Sequence, residues 1–344
     1  MKFIKLFFAS TITTCLIYFL SALLLINTPI QTEYWVGEMI TIKKELTKRH
    51  AGKTKLIVAG GSSALFGIDA EYSSKRLDMP VINFGLHAGL RLGKILQEVD
   101  SVIESGDYLV LTLEPSYYDC HKKLSTWQVE NIIGWDHDAL KKMSYMEKAE
   151  FVTLISPSIF GRMIIADIQR RFFSTRIKDR LNSLDNALVL SKFRTRSPPL
   201  AFEYSAYHLD DHGDMLRTEG AYFKGAGWDE SEPKHVCTET ASELNRFVNN
   251  MKKKRVNVFF ANTPYIASGV NTDKVRNDEL SFQKEFNHIG CFIDKREDLV
   301  LDRKYFFNTN LHLNAEGRAY RTDLFINSMQ KNILTGVCQR LPNP

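Results

Sequence analysis

Five cysteines, ten prolines and nineteen glycines are few for a chain of 344 residues. So little glycine and proline excludes collagen-like chains, and an aromatic share of 11% excludes a disordered one. The cysteines stand far apart, at positions 15, 120, 237, 291 and 338, without the paired spacing of a zinc site. Charge of one sign is scarce as well. The formal net charge is +5, with Lys2 and Lys5 at the extreme N-terminus supplying two of the excess positives, so nothing calls for a nucleic-acid partner. Neither phosphate-binding fingerprint is present, which argues against a nucleotide site. No internal repeat is visible.

What is present begins with one long apolar run. Leu6–Ile26 (LFFASTITTCLIYFLSALLLI) carries no charge over twenty-one residues, and about 20 residues at 1.5 Å each cross a ~30 Å hydrocarbon core. The run is longer than a signal-peptide core, and no Ala-x-Ala site follows it. It therefore predicts one uncleaved transmembrane anchor within residues 1–30, N-terminus inside. Residues 31–53 mix Glu38 and Glu45 with Lys43, Lys44, Lys48 and Arg49, as in an amphipathic helical stalk. The four cysteines beyond the anchor allow three pairings, and their spacing selects none.

From residue 54, apolar runs alternate with amphipathic stretches. Lys55–Ala59, Pro80–Phe84, Tyr108–Leu113 and Val256–Ala261 read as strands, with Cys291–Asp294 a short fifth. Helices are expected from Asp69 to Leu77, Leu90 to Glu104, Thr240 to Lys254, and from Ala315 to Ile333 behind an Asn314 cap. This alternation predicts an α/β fold, a three-layer α/β/α sandwich around a parallel sheet of about five strands. Residues 120–235 interrupt it as a largely helical insertion. Trp127, Trp135, Tyr222 and Trp228 in that insertion suit its own core better than a sugar platform. The polar run 208–214 (HLDDHGD) lacks the spacing of a cation loop and suits a solvated turn.

Two segments carry the chemistry. Leu56–Asp69 (LIVAGGSSALFGID) runs from a strand through Gly60-Gly61 into a helix start, a geometry that lifts a serine hydroxyl above a sheet edge beside free N–H groups. Phe306–Arg318 (FFNTNLHLNAEGR) places His312 just before a helix cap, where an imidazole could serve as general base. Glu114 ends the third strand at the same edge, where a substrate hydroxyl could meet it, although a helix-capping or salt-bridge role suits it better.

These two blocks, with VINFGLHAGL (Val81–Leu90) between them, resemble the SGNH/GDSL-type hydrolases. With the N-terminal anchor they look most like the membrane-bound branch that includes the D-alanyl transfer protein of teichoic acids and alginate O-acetyltransferases. The resemblance covers about residues 54–119 and 255–333. It implies Ser62 as nucleophile, with Ser63 as the alternative, and His312 as base. Oxyanion donors would be the N–H groups of Gly61 and of Gly85 or Gly89. Two departures stand out. The third block reads LEPSYYD (Leu113–Asp119) without the usual Asn oxyanion donor, for which a Tyr117 or Ser116 hydroxyl could substitute only if it points inward, Tyr117 being also a candidate substrate contact. Asn308 and Thr309 occupy the places of the usual Asp, so Asn308, Asp302 or Asp294 would have to orient the imidazole.

The resemblance implies a serine esterase or O-acyltransferase working through an acyl-enzyme, with no metal and no organic cofactor. Its substrate would be acyl, mainly acetyl, esters of cell-envelope polysaccharide, at the outer face of a bacterial inner membrane. The alternative is an inactive module of the same fold that binds glycan or a polysaccharide-assembly partner.

Overall fold

The computed structural model describes every residue except 1, 121–122, 221, 226–234, 268–270, 336–337 and 339–344; Trp228 lies outside the described residues. The chain divides into two compact units, one of residues 1–38 and 123–191, the other of residues 39–122 and 192–344. The expected insertion 120–235 is thus split between them.

The first unit is helical. It holds α1 (Lys2–Leu25), the first turn of α2 (Tyr34–Lys48), α6 (Thr126–Gly134), α7 (His137–Lys142), α8 (Tyr145–Thr153), α9 (Pro157–Phe172), α10 (Lys178–Ser183) and the start of α11 (Asn186–Arg194). Serines 125, 144 and 156 cap α6, α8 and α9 by accepting from backbone N–H groups in the first turn. Ala22 and Ile30 join Ile132, Phe151, Ile155 and Met163 in its core. α1 is the one helix among the described residues that is long and apolar enough by itself to cross a membrane. Trp135 serves this packing, covering Gly37 and bonding the Asn131 side chain.

The second unit is α/β. Its parallel sheet has the order β2-β1-β3-β4, with β1 (Leu56–Gly60), β2 (Val81–Gly85), β3 (Tyr108–Thr112) and β4 (Asn257–Phe260). β1 and β2 are buried at every position, as strands covered on both faces must be. Between them run α3 (Ser62–Leu65) and α4 (Ala70–Leu77), the latter capped by Asp69 as its sequence implies. α5 (Leu92–Asp100) joins β2 to β3, and α12 (Thr238–Lys253) leads into β4. Beyond lie β5 (Tyr265–Ile266), α13 (Thr272–Phe286), β6 (Val300–Leu301) and α14 (Ala315–Thr335). Among the described residues the sheet has four strands, where about five were expected. Phe292 makes a single parallel bridge to Phe260, and β5 pairs with β6 apart from the main sheet.

Residues 39–48 are a correction to the expected stalk. Met39, Ile42, Lys43 and Thr47 are fully buried, so this part of α2 belongs to the body of the unit. Lys43 Nζ donates to the carbonyls of Asn83 (2.8 Å), Gly85 (2.7 Å) and Gly213 (2.9 Å). The run 208–214 is likewise no solvated turn. The Asn83 N–H donates to the His212 carbonyl, closing the outer edge of β2, and Gly213 turns there at φ +90°. Asp214 is buried behind it, accepting from the Ala70 N–H and the Asn83 amide. Burial, with Asp210 beside it, pushes its carboxyl up against the pull of Arg318, and burial pushes the Lys43 ammonium down against the pull of Asp214 and Asp210.

Two disulfides form, Cys120–Cys237 and Cys291–Cys338, leaving Cys15 free in α1.

Candidate active site at the carboxyl edge of the sheet

All four strands of the main sheet run parallel, so the residues that follow each one gather at a single edge. β1 has β2 on one side and β3 on the other, which makes its end the point where successive connections diverge. Ser62 follows β1, His87 follows β2, Glu114 follows β3, and His312 arrives from the chain before α14.

His312 is 6% exposed and its environment is defined on three sides. Its ring lies on that of Phe66, with centroids 4.1 Å apart and planes 8° apart. Phe66 ends the α3 turn, its N–H donating to the Ser62 carbonyl. His312 Nδ1 is 2.8 Å from Asn308 Oδ1. An amide oxygen only accepts, so Nδ1 carries the hydrogen and Nε2 presents its lone pair. Asn308 is held in turn by donating through Nδ2 to the Tyr204 hydroxyl at 2.8 Å. Burial, with a smaller effect from His87, pushes the imidazole down to about 3.

The serine turn is fixed from beneath by Glu114. Its Oε2 accepts from the Gly61 N–H at 3.1 Å and its Oε1 from the Ser63 N–H at 2.7 Å. A side chain at Gly61 would put its Cβ 2.5 Å from both carboxylate oxygens, so only glycine admits this clamp. Burial pushes the Glu114 carboxyl up, and the two N–H donors offset part of that rise. Arg321, fully buried on α14, donates to the Ser63 carbonyl (3.3 Å), Thr112 Oγ1 (2.8 Å) and the Asn262 carbonyl (2.7 Å). It ties the helix after His312 to the α3 turn, the end of β3 and the loop after β4.

The structure sorts the candidate residues. Ser62 retains 7% exposure whereas Ser63 is fully buried, so Ser62 is the accessible serine. Asn308 is the group behind His312. Asp302 and Asp294 are engaged elsewhere, accepting from the N–H groups of Lys304 and Asn262. Glu114 supports the turn and is too buried to meet a substrate. Tyr117 donates to the carbonyls of Ala88 and Leu90 and props that loop. Ser116 is exposed.

The expected oxyanion donors are all occupied. The Gly61 N–H is on Glu114, the Gly85 N–H on Asn83 Oδ1 (2.8 Å), and the Gly89 N–H on His87 Nδ1 (3.0 Å). Gly85 serves packing instead, because a Cβ there would lie 2.2 Å from the Leu65 nitrogen. Among the described residues Ser62 Oγ makes no hydrogen bond, to His312 or to any other group. Sequence reasoning missed Arg321 and Tyr204. Arg321 shares a stripe of α14 with Phe325 and Met329, and a charge on an apolar stripe was the available signal. Tyr204 is 108 residues from His312, and nothing local marks it.

No family profile, curated protein or solved structure matches the chain.

Proposed function

We propose that the chain is a membrane-anchored serine esterase or O-acyltransferase of SGNH type, acting on acetyl or related acyl esters of cell-envelope polysaccharide. The observation that carries the proposal is the His312–Asn308 hydrogen bond at 2.8 Å, in a ring stacked four residues from Ser62. It leaves Nε2 as the basic nitrogen, on the side opposite Asn308. In this reading Nε2 takes the Ser62 proton as Oγ attacks an acyl carbonyl, then returns it to the leaving alcohol. Water or a sugar hydroxyl resolves the acyl-enzyme. The Ser62 N–H at the start of α3 serves the oxyanion, joined by the Gly89 N–H once it leaves His87. The body is read as a three-layer sandwich outside a bacterial inner membrane, a compartment compatible with its two disulfides.

One observation favours a second reading. With the N–H groups of Gly61, Gly85 and Gly89 all paired and no hydrogen bond between Ser62 and His312, the same edge suits an inactive module that binds glycan or an assembly partner. A fluorophosphonate probe separates the two. Labelling is expected for the parent chain and Ser63→Ala, none for Ser62→Ala, and a loss of ~10²-fold or more for His312→Ala. A folded parent chain that takes no label while retaining glycan supports the inactive module.

A further inference from the structure

The first unit carries an apolar surface that its own core does not use. α9 is apolar on two faces. Ile159, Met163 and Ala166 point into the core, while Ile164, Ile165, Ile168 and Phe172 form an exposed stripe at helical spacing. Phe172 is 74% exposed, and across the elbow Tyr145 and Met146 on α8 are 91% and 81% exposed. Cations accompany the aromatics, with Arg176 over the Phe173 ring and Lys148 over that of Tyr145. Arg170 and Arg171 both pair with Asp167.

α1 supplies the depth scale. The Tyr18 hydroxyl donates to the Ile155 carbonyl at 2.6 Å, and the Tyr18 ring packs on Phe160. Ile155 is the elbow between α8 and α9, whose axes bend by 97° there. Tyr18 precedes Ile26, the end of the charge-free run, by eight residues, or about 12 Å of helix. A bilayer that covers the whole run therefore reaches the α8–α9 elbow. That depth lies inside the hydrocarbon, so α8 and α9, which leave the elbow, start within lipid, which accepts exposed Ile165, Ile168 and Phe172 as water does not.

We propose that α8 and α9 form a bent membrane-inserted element, with Ile165, Ile168 and Phe172 seated in the lipid beside α1. The first unit then holds the membrane by a span and a bent helix pair together. This inference is independent of the chemistry proposed for Ser62 and His312.

The test uses the full chain in phosphatidylglycerol–phosphatidylcholine nanodiscs, with Cys15→Ser removing the free thiol. Nitroxides are attached to Ile165→Cys, Ile168→Cys and Phe172→Cys, and to Lys253→Cys as an exposed position of the α/β unit. Collision with oxygen is compared with collision with a water-soluble nickel complex. The oxygen-to-nickel ratio at 165, 168 and 172 is expected to exceed that at 253 several-fold. Ratios equal to that at 253 overturn the proposal. So does low access to both reagents with spin–spin broadening that dilution by unlabelled chain removes, because a second copy would then cover the stripe.

Discussion

The Phe66 ring lies flat against the His312 imidazole, 4.1 Å between centroids, and so joins the first loop of the sheet to a segment almost 250 residues later. One face of the imidazole is thereby removed from water, and Asn308 fixes its rotation. A neutral hydrogen-bond acceptor does here what a carboxylate does in a Ser-His-Asp site, without supplying charge.

That absence of charge gives the first prediction. Asn308→Asp should raise the His312 pKa, since a nearby negative charge favours the imidazolium. Fluorophosphonate labelling at pH 7 should rise by about tenfold or more, given that the reverse change in a serine protease cost about 10⁴ in turnover. Labelling that falls in a folded Asn308→Asp chain would show that Asn308 does more than orient the ring.

A second prediction concerns acid. The folded His312 pKa of about 3 lies below the unfolded value of ~6.5, so the folded chain binds fewer protons between these values. His312 thus contributes stability that is complete above pH ~6.5 and lost as the pH falls toward about 3. His312→Gln should therefore gain on the parent chain as pH falls, by on the order of a few kcal/mol by pH 4. Urea midpoints at pH 7, 5.5 and 4 check this. A constant gap between the two proteins contradicts it.

Gly85 offers a third. Were its role only to donate an N–H, Gly85→Ala would retain that donor and fold normally. The 2.2 Å approach to Leu65 predicts instead a packing loss of about 1–3 kcal/mol, or more if α3 cannot shift. Thermal unfolding of the variant should drop by several degrees.

Lys43 supplies the fourth. A lysine on an exposed stalk tolerates replacement within about 0.5 kcal/mol. Lys43→Met should cost several kcal/mol, because three buried carbonyls lose their donor at about 1–3 kcal/mol each. A melting temperature unchanged from the parent would place Lys43 in water.

The same lysine shows what was legible in the sequence and what was not. Strands β1 to β4 and helices α4, α12 and α14 follow from apolar runs and local caps, and each lies within a few residues of its expected bounds. The places of Ser62 after β1 and of His312 before α14 were legible because strand-to-helix turns and helix caps are local. Burial of Lys43 depends on the Gly213 carbonyl, 170 residues away. The clamp of Glu114 on the serine turn, and the absence of a fifth strand at Phe292, also arise only when distant segments meet. Charge patterns report the solvent-facing default, and these are the places where tertiary contacts override it.

The bond between Cys120 and Cys237 spans 117 positions and returns the chain almost to its point of departure. The chain between those two sulfurs is closed into one covalent loop. A protease cutting anywhere inside it would leave the molecule in one covalent piece until reductant was added.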